Sequence, residues 1–383
     1  MKYSYHVSTP PQIITSNKNK QERNSNLELY RIIVMLLIVM HHYVVNSGLM
    51  EILKDELMNM SSSLMILFGA WGKTGINCFV LITGYFMCRS KFTWSKLLKL
   101  YLQITFYALI IYGIFCVTGH EELSVYKILW NFWPVKSISD GFTSCFILFF
   151  LFIPFLNIFL KSLGKKEHLQ LVILSLFVFS ILPTIPVIRI SFNYVGWFIV
   201  LYFVGAYIRN YGLFSNLSHK SWGWLSLLLL IIASCSVIGM VILYKYNIIP
   251  QFNPYFFISD SNKILSLLLA VASFMYFKDL KIPHSRLINA IGGSTFGVLL
   301  IHANSDAMRK WLWRETIDCV GNYQENALLT LGYAIGCVLI IFFVCAGIDW
   351  LRKRMIEPHL ISSVKRILDP VYRKLITITR TSI

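Results

Sequence analysis

Two adjacent histidines, His41 and His42, are the residues of this chain best placed for chemistry, because they lie inside a long apolar segment. Arg31 stands near the start of the same segment, eleven residues before His42. Eleven residues of α-helix rise about 16 Å in about three turns, so the two side chains project from nearly the same face. Ionisable groups are costly to hold inside a membrane and usually serve a function there. The spacing predicts chemistry within a membrane.

Only one of the two histidines can share the face of Arg31, since adjacent helical positions point about 100° apart, and that one is His42. For His41 the alternative is a buried imidazole bonded to a neighbouring helix. Glu28 precedes Arg31 by three residues, so the two can pair on one helix face. We take Glu28 and His41 as candidate substrate-binding residues, with these structural roles as the alternatives.

Two further segments carry candidate site residues. Lys96 and Lys99 begin a later apolar segment, where they could bind the phosphates of an anionic cofactor that enters from the cytoplasm. The alternative is that these lysines only set the membrane topology. His302 ends the run 292–302, whose glycines allow close helix packing or mark an interrupted helix near a cavity.

The composition indicates a membrane protein. Of the 383 residues, 56% are hydrophobic and 14% are charged, whereas soluble domains have about 45–50% and about 25%. Apolar stretches of about 20 residues can each cross a bilayer. The sequence predicts an all-α fold, a polytopic bundle of about ten transmembrane helices at 28–47, 64–87, 97–118, 144–161, 168–188, 194–209, 222–244, 262–278, 290–308 and 327–350.

The basic residues predict the topology. With a cytoplasmic N-terminus, 25 of the 35 Lys and Arg residues fall in inside segments and 8 in outside segments, which places both termini in the cytoplasm. The charge of +17 is spread as short patches between apolar runs, which argues against nucleic acid as a partner. We divide the chain into a polar cytoplasmic segment at 1–27, a transmembrane domain at 28–350 and a basic cytoplasmic tail at 351–383 that lies on anionic membrane lipids.

A metal site is not predicted. The eight cysteines fall mostly in or beside apolar runs and show no CxxC or Cys/His ligand spacing. We interpret them as small apolar packing residues.

Five blocks of the sequence occur in an order that is informative when they are taken together. They are Glu28 with Arg31 and His42, GINCFVLITGY at 75–85, FTWSKLLKLY at 92–101 with Lys96 and Lys99, WFIVLYFVGAYI at 197–208, and STFGVLLIH at 294–302. With these blocks the chain resembles, over about residues 24–350, the acyltransferase-3 family of bacterial integral membrane proteins, which contains many polysaccharide and exopolysaccharide O-acetyltransferases. In the third block this chain has lysines where many members have arginines, which keeps the charge but loses the bidentate fork.

The resemblance implies about ten spans in a bacterial plasma membrane and transfer of an acyl group, often acetyl, from cytoplasmic acyl-CoA to a hydroxyl of a surface glycan or lipid-linked sugar. In that reaction His42 would be the general base, and a covalent acyl-histidine is the alternative to direct transfer. His302 would polarise the acceptor or orient His42. Arg31, with Lys96 and Lys99, would bind the CoA phosphates, and no metal is needed.

Two other classes of function stay open at this point. The first is an exporter or flippase for polysaccharide or lipid-linked sugar, although the sequence shows no clear internal repeat of the kind that such transporters use. The second is a structural partner of polysaccharide-assembly proteins. That role predicts full activity in cells for Arg31→Ala and His42→Ala.

Overall fold

The fold of the chain is helical in every part that the computed structural model describes. The described residues are 24–57, 59–137, 141–185, 188, 193–214, 216–364 and 366. Regular structure in these ranges consists of helices, and they contain no β-strand. The predicted all-α class is therefore confirmed, while residues 1–23 of the predicted N-terminal segment lie outside the described residues.

Before a last helical stretch at 357–364, the described ranges contain fifteen α-helices. They are α1 (Ser25–Val45), α2 (Leu49–Asp55), α3 (Met60–Phe68), α4 (Gly72–Met87), α5 (Trp94–Val117), α6 (Val125–Phe132), α7 (Phe142–Ser162), α8 (Lys165–Leu176), α9 (Leu182–Thr184), α10 (Tyr194–Tyr211), α11 (His219–Lys245), α12 (Ile264–Asp279), α13 (Arg286–His302), α14 (Asp306–Lys310) and α15 (Ala327–Met355). A 3₁₀ turn joins α3 to α4, and π-helical segments follow α8 and α14.

The helices that can cross a membrane are fewer than predicted. Seven described helical segments are long and apolar enough, and α13 with the segment after it makes an eighth if that bent pair is one span. α10 and α12 occupy two other predicted spans, but neither is both long enough and apolar enough to be counted with these helices. The chain is a multi-pass membrane protein, and the count of ten and the cytoplasmic termini stay predictions. The seven segments are Ser25–Val45, Met60–Met87, Trp94–Val117, Phe142–Ser162, Lys165–Thr184, His219–Lys245 and Ala327–Met355.

The predicted span 290–308 contains a sharp break between two helices. α13 ends at His302, and the next helical segment, 306–316, departs from its direction by 95°. Asn304 donates a side-chain hydrogen bond of 2.9 Å back to a carbonyl of α13, and the hydroxyl of Ser305 accepts one of 3.1 Å from a backbone N–H of α14. These bonds satisfy backbone groups at the two helix ends. The break leaves His302 in the last turn of α13.

The packing of α1 against α13 brings the candidate site together. Glu28, in the first turn of α1, lies beside Gly292 of α13, and His42, in its last turns, lies beside His302. The two helices therefore run parallel, and α4 and α15 also pack against α1. α1 begins three residues before the predicted domain start, and α15 continues past the predicted domain end to Met355.

Candidate active site

The centre of the candidate site is a pair of histidines from two helices. Nδ1 of His42 lies 2.9 Å from Nε2 of His302, and their ring centroids are 5.1 Å apart. His302 is fully buried, whereas His42 is half-buried and lines a cavity. The structure thus brings together the two histidines that the sequence marked as catalytic, although it does not test that role.

The hydrogen bonds around the pair assign its neutral tautomer. Nδ1 of His302 lies 2.6 Å from the carbonyl oxygen of Val298, which can only accept, so this nitrogen carries the hydrogen. Nε2 of His302 is then an acceptor, and Nδ1 of His42 donates to it. The lone pair of His42 is left on Nε2, which has no hydrogen-bond partner among the described residues. A neutral imidazole held in this way can take a proton from a bound hydroxyl.

His41 lines the same cavity but makes its hydrogen bond to a backbone carbonyl and not to another histidine. Its Nδ1 lies 2.5 Å from the carbonyl oxygen of Gly69, so this imidazole too is fixed by a backbone acceptor. Its ring packs directly on Gly72, where a Cβ atom would come within 2.4 Å of the ring carbon Cγ. A glycine is needed at this position because any side chain would displace the imidazole. The bond that the sequence offered as the structural alternative for His41 is therefore present, and its substrate-binding role stays a prediction.

The cavity has a volume of about 500 Å³ and lies between α1, α4, α5, α13 and the segment that precedes α7. Toward the Arg31 end its wall is apolar, and near the histidines it is polar. The apolar wall includes Met35, Ile38, Phe79, Ile104 and Phe296. The polar end includes Asn46, Lys73, Asn131, Lys136, Tyr194, Asn304 and Arg309.

Arg31 stands below the cavity, one helical turn from its first lining residue on α1, Met35. Its guanidinium lies 3.2 Å from a carboxylate oxygen of Glu28, and the Glu28 side chain is 8% exposed. The ion pair that the sequence offered as the structural role of Glu28 is therefore present. It holds the guanidinium at the end of the bundle opposite the histidines.

The predicted phosphate-binding lysines do not reach this cavity. Lys96 donates to the Ser90 hydroxyl at 2.5 Å, and Lys99 lies 3.6 Å from a carboxylate oxygen of Glu357. Neither is among the described residues that line the cavity. Their predicted role at the cytoplasmic mouth stays a prediction.

Sequence reasoning missed the cations at the polar end of the cavity. Lys73 donates to the Tyr194 hydroxyl at 3.0 Å, Lys136 donates to the side-chain oxygen of Asn131 at 2.7 Å, and Arg309 pairs with an aspartate. Lys73 was detectable as the one charged residue of the predicted span 64–87. The other two come from connecting segments, whose approach to the cavity depends on the tertiary fold.

A buried ionic network between α5, α13 and α15 was also missed. Asp349, fully buried, accepts from the Tyr107 hydroxyl at 2.9 Å and from Gln103 at 3.0 Å, and it pairs with Arg352 at 3.1 Å and Lys353 at 2.8 Å. The signal was available, because Asp349 is the one charged residue in the apolar stretch 327–350. Lys353 also donates to the backbone carbonyl oxygen of Gly293 in α13, so the network joins three helices near the Arg31 end.

The described residues contain no group of three or more His, Cys, Asp or Glu side chains that could hold a metal ion. The groups that can act on a substrate are instead imidazoles, ammonium groups and a guanidinium around one cavity.

This fold and site define a class of protein, a multi-pass membrane helix bundle with a pair of hydrogen-bonded histidines at an internal cavity. The chain belongs to the acyltransferase-3 family: the model of that family, described as an acyltransferase domain, matches residues 24–349. The predicted resemblance is thereby confirmed, and the chain is a membrane acyltransferase. No curated protein and no solved structure matches it.

Proposed function

We propose that this protein is an O-acyltransferase of a bacterial plasma membrane. It takes an acyl group, most simply acetyl, from acyl-CoA and transfers it to a hydroxyl of a cell-surface or lipid-linked saccharide. The observation that carries the proposal is the contact between His42 and His302 beside a cavity in a chain of this family.

In the proposed reaction, Nε2 of His42 removes the proton of an acceptor hydroxyl. The hydroxyl oxygen attacks the thioester carbonyl, so a carbon–oxygen bond forms and the carbon–sulfur bond breaks. CoA leaves as a thiol after the proton passes from His42 to its sulfur. Such general-base catalysis contributes about 10²–10⁴-fold in rate.

His302 is the positioning partner of His42 in this mechanism. It does not line the cavity, so the geometry supports orientation of His42 over polarisation of the acceptor. By accepting from Nδ1–H it keeps the lone pair of His42 on Nε2, and it continues to accept when His42 becomes an imidazolium. An orienting hydrogen bond of this kind serves the same purpose as the carboxylate of a catalytic triad.

The donor would enter from the Arg31 end. Arg31 lies one turn below the cavity, and the apolar wall above it suits the uncharged arm that carries the acyl group. The thioester would then reach His42 through a space that excludes water, which limits hydrolysis. This geometry supports a donor-binding role for Arg31. For Lys96 and Lys99 the support is only their positive charge near the start of α5.

Mass spectrometry of surface glycans tests the proposal in cells. The comparison uses cells with the wild-type gene, with the gene deleted, and with His42→Ala or His41→Ala at equal membrane abundance. We expect the added mass of the acetyl groups on the glycan to disappear in the deletion and in His42→Ala. In His41→Ala this added mass should remain at least in part. Unchanged acetylation with glycan retained inside the deletion strain would contradict the enzyme and favour an exporter.

A further inference from the structure

Asn46 is a cavity residue that the reaction described so far does not use. It lines the polar end of the cavity together with His42. Its side-chain nitrogen is buried and has no hydrogen-bond partner among the described residues. Buried polar groups are nearly always hydrogen-bonded, so an unpaired amide N–H calls for an explanation. At the wall of a cavity, such a donor is available to a ligand.

Asn46 follows the proposed base by one turn of α1. The helix ends at Val45, but the backbone of Asn46 is still in the right-handed helical region, and its N–H donates to the His42 carbonyl at 3.1 Å. Residues four apart on a helix have Cβ atoms about 5–6 Å apart on one face. The unpaired amide and the imidazole of His42 therefore project from the same face of α1 into one cavity.

We infer that the Asn46 amide donates a hydrogen bond to the carbonyl oxygen of the bound thioester and stabilises the negative charge that forms there. The inference rests on the proposed function, since it adds a second catalytic residue to that reaction. When the acceptor hydroxyl attacks, its oxygen bonds to the carbonyl carbon, its proton passes to His42, and one electron pair of the carbonyl bond moves onto the carbonyl oxygen. When that pair returns, the carbon–sulfur bond breaks and the sulfur takes the proton from His42.

The spacing of the two side chains suits this division of roles. The attacking hydroxyl oxygen must lie about 2.6–3.2 Å from Nε2 of His42 and about 3–3.5 Å from the carbonyl carbon. The carbonyl oxygen then lies about one helical turn, about 5.4 Å, from the base. Asn46 is displaced from His42 by the same distance along α1.

Other N–H groups at this end of the cavity already donate to oxygens of the protein. A thioester carbonyl that used one of them would have to replace an existing bond, whereas at Asn46 it gains a bond without breaking one. The existing bonds of this kind are made by Asn304, Lys73, Lys136 and Arg309.

The inference applies to both chemical routes that the sequence left open. Direct transfer and a covalent acyl-histidine each pass through a tetrahedral carbon that bears a negatively charged oxygen. A donor held in place for that oxygen lowers the barrier in either case. Removal of one such donor from an enzyme typically costs about 10²–10³-fold in kcat.

The test compares two donors with the purified full chain in lipid nanodiscs. One is acetyl-CoA, and the other is its dithioester analogue, in which sulfur replaces the carbonyl oxygen. Glycan from the deletion strain is the acceptor, and release of CoA thiol is measured. Because sulfur accepts hydrogen bonds only weakly, loss of the Asn46 donor should slow transfer from acetyl-CoA more than transfer from the analogue. We expect Asn46→Ala to lower kcat with acetyl-CoA by about 10²-fold and the ratio of the two kcat values by about 10-fold.

Two further variants make the result specific to the hydrogen bond. Asn46→Asp keeps the shape of the side chain without the N–H donor and should lower the same ratio, even if the Ala variant loosens the helix end. Asn322→Ala is the matched control, because Asn322 donates to two backbone carbonyls of its own connecting segment and is not among the residues that line the cavity. A purely structural role of Asn46 would slow both donors equally and leave the ratio unchanged, and this result would overturn the inference.

Failure of the proposed function gives a different result. If the wild-type protein released no CoA in response to the glycan, or if His42→Ala released it at the wild-type rate, acyl transfer by this base would be contradicted, and the inference with it. Release that requires His42, while both Asn46 variants keep the wild-type ratio, would leave the proposed function standing and contradict only the role of Asn46.

Discussion

Nε2 of His302 lies 2.9 Å from Nδ1 of His42, although 260 residues separate them in the sequence. The contact exists because α13 packs parallel to α1, with His302 in its last turn. A hydrogen bond from His302 Nδ1 to the Val298 carbonyl completes a chain of donors and acceptors that leaves one lone pair on His42. The proposed base is thus defined by backbone and tertiary contacts together.

The two adjacent histidines should behave differently when replaced. We predict that His42→Ala lowers kcat for acyl transfer by about 10²–10⁴-fold, because the proton acceptor is lost. His41→Ala should act mainly through KM, because His41 lines the cavity but has no second imidazole behind it. Steady-state kinetics on purified variants gives the comparison. A larger kcat loss in His41→Ala than in His42→Ala would reverse the assignment.

His302 should matter through orientation of its partner. We expect His302→Ala to lower kcat by roughly 10²-fold with little change in acceptor KM, since the residue does not line the cavity. His302→Gln should recover part of the loss, because its side-chain oxygen can accept from His42 Nδ1–H. If the Ala and Gln variants lose activity equally while both remain folded, loss of an orienting hydrogen bond does not explain the decrease in kcat.

The packing of Gly72 on His41 gives a steric prediction. Gly72→Ala places a Cβ within 2.4–2.5 Å of three side-chain atoms of His41 and should destabilise the fold by about 1–3 kcal/mol. Gly113→Ala, in α5, is the control, because a Cβ there meets nothing within 4 Å. Apparent melting temperatures at one scan rate in one detergent test this pair. Equal melting temperatures for the two variants would show that the ring of His41 can move aside freely.

The Asp349 network predicts a large effect on stability from one carboxylate. Asp349→Ala removes the fully buried partner of Arg352, which is 4% exposed, and leaves it only Glu357, so it should cost about 3 kcal/mol. Asp279→Ala removes an ion pair of Lys278 with a half-exposed carboxylate and should change stability by less than about 1 kcal/mol. Thermal inactivation of membranes at equal protein load measures both. Similar half-lives would mean that Asp349 is dispensable for packing.

The sequence was most informative where the relevant geometry is local. The eleven-residue spacing of Arg31 and His42 on one helix, and the pairing of Glu28 with Arg31, follow from helical periodicity, and the structure has both on α1. The apolar segments likewise predicted the all-α class. Neither inference needs knowledge of which helices are neighbours.

Tertiary packing decided the features that were missed or misplaced. The contact of His302 with His42 depends on the packing of α13 against α1, and the apolar pattern of 290–308 also concealed the helix break that follows His302. Lys136 and Arg309 reach the cavity only because their connecting segments fold back over it. Lysines at a helix start are common topology signals, so the sequence could not show that Lys99 would pair with Glu357 instead.

The most direct test of the account is acyl transfer by the purified full chain in lipid nanodiscs, with acetyl-CoA and glycan from the deletion strain as acceptor. We predict that the wild-type protein releases CoA thiol and acetylates the glycan, and that His42→Ala loses both while retaining acetyl-CoA binding. Release of thiol and glycan acetylation by His42→Ala at the wild-type rate would contradict the central claim.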